Sequence, residues 1–224
     1  MCYSAGVSFT SAVILLPAGL LCLKNAVRLN MSYWPFALLP FAFGLQQAFE
    51  GGVWWSIENN NAEILRLSAL GFVFFSHFFW LAWIPFSCYF TETIQTRRTL
   101  FLLIASVGAV SGASMFLPFL LHSNWLTVSV AHHSIIYQTT FIYDNYLPQF
   151  IGMAIYILFI MLPLMLSSNQ HVRILGILIF ISMIVSLTFY SFAFTSIWCY
   201  FAAVISLYIY YIMTIKLKPV VYPA

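Results

Sequence analysis

Glu50 and His77 are the side chains of this 224-residue sequence best suited to chemistry, and each sits inside a long apolar run. Hydrocarbon cannot solvate an acid or an imidazole, so an ionisable group at membrane depth marks a functional site. Gln46, Glu50 and Trp54 are spaced i, i+4, i+8, which puts an amide, an acid and an indole on one helical stripe, with Gln47 three residues before the acid. His77 lies in Phe74-Phe-Ser-His-Phe-Phe-Trp80. Glu50 falls about 7 residues and His77 about 10–13 residues from the same end of their runs, so at ~1.5 Å per residue their depths match. Contact between the two, direct or through a water, is the expectation. A carboxylate beside an imidazole can share or relay a proton, or supply an oxygen and a nitrogen to a metal. Trp54, Trp80 and Trp198 would wall such a site. The plainer alternative is that the glutamines and Glu50 hydrogen-bond neighbouring helices as structural glue.

Four cysteines add a second chemistry. Cys22 and Cys88 fall near one membrane face, Cys2 and Cys199 near the other. The outer two could form a disulfide, could join Glu50 and His77 around a soft divalent or monovalent metal ion, or could simply fill space as small apolar groups. No CxxC, HExxH or HxxxH spacing supports the metal reading. His132 and His133 lie on a polar loop and are expected to be solvated. A phosphate-binding glycine loop, a G-x-S-x-G elbow, a lysine for a retinal Schiff base and an arginine ladder are all missing from the sequence, which discounts those activities.

The elements that must position these residues are set by composition. The chain is 63% hydrophobic and 6% charged, with 23 Phe, 13 Tyr and 7 Trp, too little polar surface for a soluble domain. A single all-α membrane domain over 1–224 is expected: a seven-helix transmembrane bundle with spans at 7–23, 33–56, 65–90, 98–121, 147–167, 172–190 and 194–215. Residues 7–23 read as the first span rather than a cleaved leader, since no basic segment precedes them. The near-continuous apolar stretch from His171 to Lys216 would make one helix roughly 70 Å long, so it must fold back around Ser191 to Thr195.

Lys24, Arg28, Arg97, Arg98, Arg173, Lys216 and Lys218 fall on one face of that bundle. Glu58, Glu63, Asp144 and only Arg66 fall on the other, so the positive-inside rule predicts an outside N-terminus and a cytoplasmic C-terminus in the inner membrane. The net charge of +3 is spread over loop ends and forms no nucleic-acid patch. The polar segment Ser123 to Tyr146 alternates in the manner of a short β-hairpin, placed outside between helices 4 and 5 with His132 and His133 at or near its turn. Gly108 and Gly112 make a small-xxx-small face for close helix packing.

The opening Met1-Cys-Tyr-Ser-Ala5, the block Pro40-Phe-Ala-Phe-Gly-Leu-Gln-Gln-Ala-Phe-Glu-Gly-Gly-Val-Trp54 and Ser196-Ile-Trp-Cys-Tyr-Phe-Ala-Ala203 resemble an uncharacterised bacterial family of multi-pass membrane proteins that begins M-C-[FY]-S-A. The resemblance implies topology and emphasis over nearly the whole length, and no activity. The blocks contain Cys2, Gln47, Glu50, Trp54, Trp198 and Cys199.

The leading expectation is a polar intramembrane cavity opening outward that binds a small ligand or ion for sensing or transport. Glu50 would be the charged or proton-accepting group, Gln46 and Gln47 its orienting amides and His77 the switchable partner. One rival is a membrane-embedded metal- or thiol-dependent enzyme using His77, Glu50 and Cys2 or Cys199. A second is a structural subunit whose aromatic surface packs against another membrane protein.

Overall fold

The computed structural model describes residues 4–216, so Cys2 and Lys218 lie outside the described residues. Seven helices occupy the seven apolar runs. They are α1 (Ala5–Leu29), α2 (Leu39–Glu58), α3 (Ala62–Thr91), α4 (Gln95–Leu121), α5 (Gln149–Leu166), α6 (Gln170–Phe189) and α7 (Ser191–Lys216). Five of them, α1, α3, α4, α6 and α7, are long and apolar enough to cross a membrane. Helix α2 falls short in hydropathy because Gln46, Gln47 and Glu50 load its middle, and α5 is shorter, with 18 residues.

Short polar side chains delimit several of these helices. Ser4 caps α1 by accepting from the Val7 N–H at 3.4 Å, Asn61 caps α3 through Ile64 at 3.0 Å, and Asn169 caps α6 through His171 at 2.9 Å. The α2–α3 joint turns on Asn60, which takes a left-handed φ of 52° that asparagine tolerates. The fold-back between α6 and α7 falls at Tyr190, and the first turn of α7, Ser191–Ala193, is a tight 3-10 turn.

Between α4 and α5 the chain forms an antiparallel hairpin, β1 (Leu126–Ala131) and β2 (Ser134–Thr139), in register from Leu126↔Thr139 to Ala131↔Ser134. Its two-residue turn is His132–His133, with φ of 49° and 54°, the two left-handed residues that a type I′ turn requires. One face of the hairpin is buried on the bundle. Leu126 and Ile135 join Val53, Phe72 and Phe119 in an apolar cluster, and Tyr137 stacks flat on Phe72 with ring centres 4.4 Å apart.

Glycines set the closest helix approaches. A side chain at Gly108 would strike the Leu81 carbonyl, and a Cβ at Gly112 would lie 2.8 Å from Phe78 Cα, so this small-residue face seats α4 on α3. Gly51 and Gly52 leave no space open beside Glu50. Gly51 admits the Phe9 ring of α1 and Gly52 admits Ser68 of α3, so both serve helix packing rather than ligand access.

Candidate functional site

The polar stripe of α2 is buried throughout: Gln46, Gln47 and Glu50 have no exposed surface and Trp54 has 7%. Glu50 accepts from Gln47 Nε2 through Oε2 at 3.1 Å and from the Ser196 hydroxyl of α7 through Oε1 at 2.5 Å. Gln46 Oε1 accepts from the Trp80 indole at 2.9 Å, and Trp80 stacks on Phe43 at 4.0 Å. Cys199, one turn beyond Ser196, lies beside the Gln46 amide and within electrostatic range of Glu50. One helix stripe is therefore tied to α3 through Trp80 and to α7 through Ser196.

Gln47 Oε1, Trp54 Nε1 and Ser8 Oγ are buried without a hydrogen-bond partner among the described residues. A buried polar group without a partner costs about 1–3 kcal/mol.

His77 is placed by a different device. Phe74–Phe79 winds as a π-helical segment within α3, the kind of local widening that recurs at functional sites. The Ser76 carbonyl in this segment accepts from the Tyr156 hydroxyl of α5 at 2.5 Å, which pins the widened turn to a neighbouring helix. The His77 Nδ1 lies 2.8 Å from the Ser76 hydroxyl, with the Val73 carbonyl also in hydrogen-bonding reach. Its ring packs against Phe119 and Phe141, with centres at 5.9 and 5.7 Å.

His77 opens onto a cleft of about 390 Å³ beneath the hairpin end of the bundle. Tyr156, Trp198 and Cys199 line its inner part, and Phe141, Tyr143 and Asp144 line it from the loop that follows β2. Such a volume lies within the usual range of small-molecule sites. Tyr156, Trp198 and Cys199 also border a void of about 30 Å³ reaching inward to Trp80 and Phe43. These three side chains thus stand between the cleft and the interior where the α2 stripe lies.

Glu50 is hydrogen-bonded to Gln47 and Ser196, and His77 to Ser76 and Val73, with Cys199 common to both surroundings. Of the expected aromatic walls, Trp198 lines the cleft, Trp80 lines only the inner void, and Trp54 lines neither. Cys199 carries a free thiol among the described residues, and Cys2, its partner in the disulfide alternative, lies outside them. Among the described residues no three of His, Cys, Asp or Glu gather to hold a metal, and Cys2 of the expected set lies outside them.

Sequence reasoning missed Ser196, Tyr156 and Asp144. Ser196 opens the Ser196–Ala203 block and was legible as part of it. Tyr156 carried no signal, being one of 13 tyrosines in an aromatic-rich chain.

The family described as a family of unknown function (DUF6629) matches residues 1–223 of the chain. No curated protein and no solved structure matches it.

Proposed function

The chain belongs to the DUF6629 family of unknown function, and from that premise we propose that it is a multi-pass inner-membrane protein that binds a small ligand in an outward-facing cleft, for sensing or transport. In this reading all seven helices cross the bilayer, the N-terminus and the hairpin lie outside, and the C-terminus is cytoplasmic. The distribution of Lys and Arg supports that orientation.

The observation that carries the reading is the position of Cys199, which lines the cleft together with His77 and also lies beside Gln46 and Glu50. A ligand in the cleft would press on Trp198 and Cys199 and so be felt by the buried acid. Glu50 would then respond through its bond to Ser196, on the same helix as those two residues. That is a route by which an outside ligand alters groups at membrane depth.

The test uses Gly152, which borders the cleft from α5 and where an added Cβ would come no closer than 3.8 Å to its nearest neighbour. The backbone at Gly152 therefore admits a side chain, Gly152→Leu projects one from a position that borders the cleft, and replacing a helical glycine favours folding. In a thermal-shift screen of the purified full chain, compounds that stabilise the wild type should lose their effect on Gly152→Leu. A screen in which no stabilisation depends on Gly152 removes the cleft as the binding site. For orientation, Thr127→Cys on the exposed side of β1, with the native cysteines replaced by serine, should react with a membrane-impermeant maleimide on intact cells. Labelling only after lysis would reverse the topology.

A further inference from the structure

We propose that the cleft selects a small organic cation, an amine or quaternary ammonium bearing an apolar group; this rests on the cleft being a binding site, as set out above.

Charge is the first argument. Asp144 is the only Asp, Glu, Lys or Arg among the described residues lining the cleft. Arg66 does not line the cleft and donates to the carbonyls of Phe119 and Ser123 at 3.2 and 3.4 Å. Arg97, Arg98, Arg173 and Lys216 sit at the helix ends remote from the hairpin. An anion entering the cleft would meet a carboxylate and no fixed positive charge, whereas a cation would meet its counter-ion at the rim.

The polar inventory points the same way. Tyr156 commits its single hydroxyl proton to the Ser76 carbonyl, so it offers the cleft only lone pairs. Asp144 accepts from the Phe141 N–H through one oxygen at 2.7 Å, which leaves the other as a further acceptor and fixes the carboxylate in place. His77 is the one lining side chain that could itself turn positive, and its Nδ1 is held at the Ser76 hydroxyl. Tyr156 and Asp144 thus present acceptors, which suit a ligand that donates or is positive, and the lining hydroxyls of Thr139, Ser191 and Thr195 can serve either way.

The walls supply the third argument. Phe141 and Tyr143 stack with ring centres 5.3 Å apart, and Phe194 and Trp198 stack at 5.1 Å, with Tyr156 edge-on to Trp198 at 6.1 Å. All five rings border the cleft. Burial and the neighbouring Asp144 push the Tyr143 hydroxyl up to about 12, so this ring stays a neutral electron-rich wall. A carboxylate set among aromatic faces is the arrangement that binds quaternary ammonium groups, through attraction of the cation to the ring quadrupoles.

The experiment compares three molecules of nearly one shape on the full chain in nanodiscs, at about pH 8, where an imidazole of ordinary pKa is neutral. Phenyltrimethylammonium is the cation, tert-butylbenzene its uncharged isostere and benzenesulfonate the anion. The cation should bind about tenfold or more tightly than the uncharged isostere, read by displacement, and the sulfonate should not bind. Asp144→Asn, which keeps an acceptor for the Phe141 N–H, should weaken the cation several-fold and leave the isostere unchanged. Gly152→Leu should abolish binding of the cation. Equal affinity for all three molecules, blocked by Gly152→Leu, would overturn the charge assignment while leaving the cleft as a binding site. Cation binding indifferent to Gly152→Leu, preference for the sulfonate, or no binding of any of the three would each overturn the proposal. The unbiased screen on Gly152→Leu then judges the cleft separately.

Discussion

Replacing Glu92 tests how the end of the bundle remote from the cleft is held. Glu92 follows α3 and is 5% exposed. Its Oε1 accepts from the Thr93 and Ile94 N–H groups at 2.9 and 3.0 Å, and its Oε2 accepts from Ser168 N–H at 2.8 Å. One carboxylate therefore ties the α3–α4 joint to the α5–α6 joint, and Arg97 reinforces the knot by donating to the Leu166 carbonyl and the Ser168 hydroxyl. A hydrogen bond to a charged group contributes about 1.5–3 kcal/mol. Thr93 and Ile94 are exposed, so water takes over much of their share once the charge is gone. Ser168 is half-buried, so its bond is replaced by water less readily. Glu92→Gln keeps the shape, yet its amide can present an oxygen to only one side, which leaves an N–H facing an NH₂. The expected loss is about 2–3 kcal/mol, and for Glu92→Ala about 3–4 kcal/mol.

The pH dependence supplies an independent check. Burial acts to raise the Glu92 pKa, but the bonds from Ile94, Ser168 and Thr93 outweigh it and hold the carboxyl below its ordinary value of 4.5. A depressed pKa contributes stability that is fully present above the unfolded-state value and is lost as pH falls through the folded-state value. Unfolding in mixed detergent micles should therefore separate wild type from Glu92→Gln by a constant amount at neutral pH, and the gap should shrink once pH drops below 4.5. A gap under about 0.5 kcal/mol at neutral pH, within the usual range for inconsequential surface substitutions, or one that persists undiminished in acid, would refute the reasoning.

Glu50→Gln and Ser196→Ala should be coupled by about 1–3 kcal/mol in a double-mutant cycle, and more strongly than Glu50→Gln with His77→Phe; additive effects of the first pair would show that the hydroxyl does not hold the acid. Tyr156→Phe should destabilise the fold by about 1–2 kcal/mol and loosen the π-helical turn, seen as faster amide exchange around Phe79 and Trp80; unchanged exchange would mean the turn is self-supporting. Gly108→Leu should prevent α4 from seating on α3 and unfold the protein at temperatures where Gly152→Leu remains folded; equal melting of the two would contradict the packing argument. A green fluorescent protein fused after Ala224 should fluoresce, and an active alkaline phosphatase at that position would place the C-terminus outside.

The positions of the helices, the fold-back near Ser191 and the His132–His133 hairpin turn were legible in the sequence, because each is decided locally. Apolar run length, polar caps such as Asn61 and Asn169, and strand alternation act over a few residues. The stripe Gln46, Glu50, Trp54 was legible for the same reason, since helical period alone puts the three on one face and the run around them buries it. What that face meets is decided between helices. Ser196 reaches Glu50 across 146 residues of chain, and Tyr156 reaches Ser76 across 80. The rotation of each helix against its neighbours chooses these partners. It is set by close approaches such as Gly51 on Phe9 and Gly108 on Leu81, which no periodicity encodes. The π-helical turn shows the same limit. A regular 3.6-residue period gives the depth of His77 along α3, but one widened turn, pinned by a tyrosine from another helix, sets its ring on the cleft, and α7 supplies a hydroxyl to Glu50. Depth is a property of each helix by itself, whereas the partners of a side chain are decided by how the helices turn when they pack.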